Sequence, residues 1–113
     1  MPNNVPSVDV PEMPVDLPAD VTLLDVREKD EWEAGHAPDS LHIPMGELMG
    51  RLDELPVDNA VYVICRSGVR SARVTQYLNA NGWDATNVDG GMHAWAHYRR
   101  PMACVSGQEP EVI

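Results

Sequence analysis

The stretch 60-AVYVICRSGVRSARVTQYL-78 decides how the rest of the chain reads. It opens on an apolar run of strand length, reaches Cys65, and places Arg66, Gly68 and Arg70 directly behind it. It then carries Val74, Tyr77 and Leu78 on one stripe of a helix that stops near Asn81 and Gly82. A strand passing through a glycine-containing loop into a helix is the repeating unit of an α/β sheet. In such sheets the reactive crevice lies beyond the carboxyl ends of the strands, where loops lead into helix N-termini. Cys65 occupies one of those ends.

Working outward, "VTLLDV" (21–26) is a continuous apolar run ending on Asp25 and Val26, the pattern of a strand covered on both faces. "REKDEWEAGH" follows, with Glu28, Asp30 and Glu31 suited to a helix's first turn and Gly35 placed as its stop. "SLHIP" (40–44) reads as a brief strand. Met45, Leu48, Met49, Leu52 and Leu55 then stand at helical three- and four-residue spacing before Pro56. "WDATNVDGG" offers another short strand and "MHAWAHY" a last helix. The first 20 residues hold Pro2, Pro6, Pro11, Pro14 and Pro18, which leave room for an extended edge around Ser7 to Val10 but not for a helix. The expectation is one α/β domain with a central, mostly parallel sheet flanked by helices on both faces.

The 113 residues suffice for one domain with a real core. No run approaches the roughly 18 apolar residues of a membrane span, and the start has neither a basic nor an apolar leader region, so a cytoplasmic protein without a membrane partner is expected. The net charge of −10 argues against nucleic-acid binding. Residues 1–58 hold 14 acids and 3 bases, a net of −11, whereas residues 59–113 hold 4 acids and 5 bases, a net of +1. Arg66, Arg70 and Arg73 fall within eight positions. A small cationic spot on an acidic protein favours a small anion. Two cysteines 39 positions apart make no disulfide framework, and free thiols are favoured over a Cys65–Cys104 bond.

A cysteine closing an apolar strand is ordinarily a core residue. The residues after Cys65 argue otherwise, because a packed thiol needs neither flanking arginines nor a glycine turn. Amides of a curled loop and the following helix N-terminus stabilise an anion, Gly68 lets the loop curl, and Arg66 and Arg70 add positive charge. All of these are expected to lower the thiol's pKa and make Cys65 a nucleophile.

Three segments in order resemble the single-domain rhodanese-like sulfurtransferases: "LLDVREKDEWEAGHAPDSLHIP", "VYVICRSGVRSARVTQYLNANGW" and "NVDGGMHAWAHYRRPM". The resemblance covers about residues 7–104, which would form the domain between a flexible N-terminus (1–6) and a C-terminal tail (105–113). It implies that Cys65 takes a sulfane sulfur from thiosulfate or a similar small anionic donor, becomes a persulfide, and passes that sulfur to cyanide, a thiol or a protein acceptor. It further implies that Arg66, Ser67, Gly68, Val69 and Arg70 form the substrate-binding loop, with Asp25, Arg27 and Ser71 supporting it and Arg27 buried beside a carboxylate. No cofactor or metal is called for, and a monomer or weak dimer is expected. "HAPDS" stands where Ile-Pro-Gly-Ala is commoner in the family.

Two other readings compete. One is a protein-interaction or sulfur-relay module whose turnover is incidental, suggested by the acidic first half. The other, disfavoured, is a cysteine-dependent phosphatase or arsenate reductase. Those phosphatase loops run Cys-x5-Arg, whereas Cys65 to Arg70 is Cys-x4-Arg and position 71 is serine. His93 and His97 have metal-binding spacing but no obvious third ligand, and His36 reads better as a hydrogen-bonded loop residue than as a base. Cys104 reads as an incidental thiol, with a resolving role for Cys65 as the alternative.

Overall fold

The computed structural model describes residues 5–113. Residues 1–4 of the N-terminal segment expected to be flexible lie outside the described residues. Five strands form one sheet: β1 (Ser7–Asp9), β2 (Val21–Asp25), β3 (Leu41–His42), β4 (Ala60–Ile64) and β5 (Asp84–Asp89). Their spatial order is β1-β5-β4-β2-β3, and every pairing in the sheet is parallel. Three helices accompany them: α1 (Lys29–Ala34), α2 (Val69–Ala80) and α3 (Gly91–His97).

Side-chain alternation along the central strands feeds two apolar clusters, one on each face. Leu24, Val61 and Val63 meet Val74 and Leu78 of α2 on one side. Leu23 and Ile64 meet Met92 and Trp95 of α3 on the other, with Val10 and Met13 closing that face. Leu24, Val63, Ile64, Leu78 and Met92 are fully buried, each burial contributing about 1.5–3 kcal/mol. The proline-rich start supplies the edge strand β1 and a 3₁₀ turn at Val10–Glu12.

One local expectation is corrected, and the reason for Gly35 as the stop of α1 is sharpened. The segment expected to be helical from Met45 to Leu55 forms 3₁₀ turns at Met45–Gly50 and Leu52–Glu54. Gly46 and Gly50 each cost about 1 kcal/mol in an α-helix, and a three-residue turn still delivers Leu48 and Leu55 to the core. Gly35 ends α1 without the left-handed conformation of a glycine cap, since its φ is −179° and the backbone is extended. Glycine is needed there for space: a Cβ would stand 2.8 Å from Met102 Cε and 2.8 Å from the Glu111 nitrogen.

Candidate active site

β4 delivers Cys65 to the carboxyl edge of the sheet, where the chain turns at once into the loop 66–68 and α2. Gly68, at φ +108°, takes a backbone conformation that favours glycine and turns its amide inward. The Gly68 amide donates to Cys65 Sγ at 3.1 Å, the Ser71 amide at 3.4 Å and the Ser71 hydroxyl at 3.2 Å. Cys65 is only 1% exposed. Burial pushes its thiol up, but hydrogen bonds from the Ser71 hydroxyl and from the Ser71, Gly68 and Ser67 amides outweigh that, and the thiol lies below its ordinary value. Loop amides and the Ser71 hydroxyl lead this stabilisation, and the Cys65 charge also interacts with Arg70.

Ser71 has one hydroxyl proton and two acceptors, Cys65 Sγ and Asn87 Oδ1 on β5. When the thiolate forms, that proton turns towards sulfur, because a charged acceptor binds it more strongly than an amide oxygen does. Ser71 is fully buried and Asn87 nearly so, which keeps water from competing for the same proton.

The backbone on either side of Cys65 is held from α3. The Met92 amide donates to the Cys65 oxygen at 2.8 Å and the His93 amide to the Arg66 oxygen at 3.0 Å. Gly91, at φ +54°, makes this approach possible, since a Cβ there would run into the Cys65 oxygen and stand 2.7 Å from the Arg66 carbonyl.

Both loop arginines are engaged. Arg70 places Nη1 and Nη2 on the two carboxylate oxygens of Glu31, at 2.8 and 2.9 Å. The Arg70 hydrogen bond holds Glu31 below the usual carboxylate range, and Glu31 in turn raises Arg70. Arg66 sends Nε to the main-chain oxygen of Ile113 at 2.9 Å. Ser67 and Val69 lie at the exposed surface of the loop and of the first turn of α2.

Asp25 and Arg27 form a buried pair beneath α1, both with no exposure. Arg27 donates to both Asp25 oxygens and to the main-chain oxygens of Glu31 and Gly35. This pair thus holds the helix whose Glu31 carboxylate grips Arg70. Trp32 stacks with both His36 and His42, with ring centroids 3.6 and 5.1 Å away. His36 Nδ1–H donates to the Trp32 oxygen and His42 Nε2–H to the Arg27 oxygen, so both imidazoles have structural partners. Trp95 is a core residue whose indole N–H is taken by the Pro101 oxygen. Cys104 is a free thiol placed against Glu33 of α1.

Reading the sequence singled out Cys65, the 66–70 loop, Asp25, Arg27 and Ser71. It left Glu31, Asn87 and Gly91 without a part in the site. In the sequence Glu31 reads as a first-turn acid of α1, and the glycine pair at 90–91 is the available signal for close backbone approach.

The fold and the site together are those of a parallel α/β sheet that carries a buried cysteine on an amide-lined turn at its carboxyl edge. Residues 13–98 match the family model described as "Rhodanese-like domain". A putative sulfurtransferase of Bacillus subtilis, YtwF, is 38% identical over 87 residues, which cover 77% of this chain and 84% of that protein. A sulfurtransferase of Allochromatium vinosum is 38% identical over 89 residues, 78% of this chain and 83% of its own. The crystal structure of a rhodanese-related protein from Thermoplasma volcanium superimposes with a TM-score of 0.80 at 31% identity, covering 87% of this chain and 97% of that one. The chain belongs to the rhodanese-like family.

Proposed function

We propose that the protein is a sulfurtransferase that carries sulfane sulfur on Cys65. The observation behind this reading is the set of donors converging on Sγ, from Gly68, the Ser71 amide and the Ser71 hydroxyl. The thiolate attacks the outer sulfur of a donor such as thiosulfate. A new S–S bond forms, the donor's S–S bond breaks, and sulfite leaves with the electron pair. A nucleophilic acceptor, whether cyanide, a thiol or a protein thiol, then attacks the terminal sulfur and Cys65 thiolate is regenerated. No electrons are gained or lost overall. The loop amides suit both the thiolate and the persulfide anion, since each places negative charge within their reach. Both named sulfurtransferase relatives agree with this reading.

Incubation of the reduced protein with thiosulfate should add the mass of one sulfur atom to the peptide containing Cys65, and cyanide should remove it as thiocyanate. An unmodified wild-type peptide, or equal modification in Cys65→Ser, rejects the proposal. The acidic first half favours a second reading, in which the persulfide is relayed to a basic partner protein. Capture of a partner only by the persulfidated protein supports relay, and capture independent of Cys65 supports a binding module.

A further inference from the structure

Residues 105–113 lie against the C-terminal end of α1 and reach the cysteine loop. The Val105 amide donates to the Glu33 oxygen at 3.1 Å and the Glu111 amide to the Ala34 oxygen at 2.9 Å. Val112 packs against the cluster that contains Met92 and Trp95. Gly35, with no side chain, leaves the space in which the Glu111 backbone sits. The segment then reaches Arg66, whose Nε–H it accepts through the Ile113 main-chain oxygen. Its side chains add two exposed acids, Glu109 and Glu111.

We propose that residues 105–113 are a strap that holds Arg66 aside and so sets how the cysteine loop discriminates between sulfur donors of different charge. With the strap docked, Arg66 is drawn to Ile113 and Arg70 is already spent on the Glu31 carboxylate. An incoming anion then finds Arg70 paired and Arg66, exposed but held through its Nε–H, drawn towards Ile113. An alkyl persulfide, at most singly charged, depends on the arginines less than dianionic thiosulfate does, and the amides around Sγ remain available to it. Release of the strap returns Arg66 to the anion without altering the groups that hydrogen-bond Cys65. The inference rests on Cys65 being the sulfur-accepting thiol only in naming donors as the molecules discriminated; the hold on Arg66 stands on the contacts alone.

Two substitutions release the strap by different means. Gly35→Ala puts a Cβ where the Glu111 backbone lies, and Val112→Ser removes an apolar contact. Hydrogen exchange over 105–113 measures the release, and alkylation of Cys65 by iodoacetate (anionic) against iodoacetamide (neutral), read by mass spectrometry, measures the discrimination. The ratio of the two rates cancels the thiolate fraction. Release should raise the iodoacetate-to-iodoacetamide ratio about threefold or more, the scale of one exposed charge interaction, and Arg66→Ala in the same chain should abolish the gain. Sulfur uptake from dianionic thiosulfate should rise alongside, and uptake from a singly charged alkyl persulfide should rise less. An unchanged ratio with 105–113 released overturns the proposal. So does failure of both substitutions to raise exchange there, which would remove the docked geometry it stands on. A ratio that changes as expected while no donor adds sulfur to Cys65 in any chain keeps the strap and rejects the sulfur-transfer reading.

Discussion

Arg70 and Glu31, 39 positions apart, meet in a two-point pair across the ends of β4 and β2, with nitrogen to oxygen distances of 2.8 and 2.9 Å. The carboxylate is mostly shielded, with 14% of its side chain exposed against 31% for the guanidinium. Glu31→Gln should destabilise the protein by about 1 kcal/mol at pH 7, a partly screened charged hydrogen bond. The lowered pKa of Glu31 sets the sign of the pH dependence. The pair's contribution is fully present above the unfolded carboxylate value of about 4.3, and it is lost as pH falls through the lower folded value. Urea denaturation of both proteins at pH 7 and at pH 3 checks this: the gap should narrow at the lower pH.

Ser71→Ala removes the hydroxyl that hydrogen-bonds Cys65 Sγ and leaves Asn87 Oδ1 without that donor. The thiol's pKa should rise, because a bond favouring the charged form is gone. At a pH below the thiol's own pKa, iodoacetamide should react with Cys65 about tenfold more slowly, the equivalent of one charged hydrogen bond. A pH–rate profile with an unmoved midpoint would show that the amides alone hold the thiolate.

Removing either half of the buried Asp25–Arg27 pair should cost about 3–5 kcal/mol, because the other charge stays buried without its partner. Arg27→Ala also abandons the Glu31 and Gly35 oxygens. Chemical denaturation of Asp25→Asn and Arg27→Ala measures the loss. A cost below about 1 kcal/mol for both would mean that water reaches the pair.

Gly91→Ala tests how α3 holds the loop. Its φ of +54° costs an L-residue about 1–2 kcal/mol, and the added Cβ runs into the Cys65 oxygen. The melting temperature should fall and the Met92 and His93 amides should exchange faster. Because those amides hold the backbone of Cys65 and Arg66, alkylation of Cys65 should lose its low-pH reactivity in parallel.

Much of the architecture was legible because strand and helix signals are local. The apolar run of β4, the glycine at 68 and the stripe of Val74 and Leu78 place a strand, a turn and a helix around Cys65 without reference to the remaining chain. Spacing misled where two geometries satisfy it. Leu48 and Leu55 reach the core from 3₁₀ turns as they would from an α-helix, and only the weakness of Gly46 and Gly50 as helix formers separates the two. Gly35 stops α1 as its position indicates, but a glycine after a helix can serve conformation or space, and only the packing against Glu111 shows that it serves space here.

By itself, then, the sequence determined a parallel α/β domain with a cysteine on an amide-lined turn, because periodicity, turn chemistry and the order of neighbours along the chain carry that information. Only the tertiary structure decided what faces the turn. The sheet order β1-β5-β4-β2-β3 puts the end of β2 beside the end of β4, and this brings Glu31 to Arg70. The same folding brings Asn87 to Ser71, Gly91 to the Cys65 backbone, and Ile113 to Arg66 across 47 positions. An arginine free to meet an anion and an arginine already paired look alike in a sequence, since their difference lies in which distant groups share the same edge of the sheet.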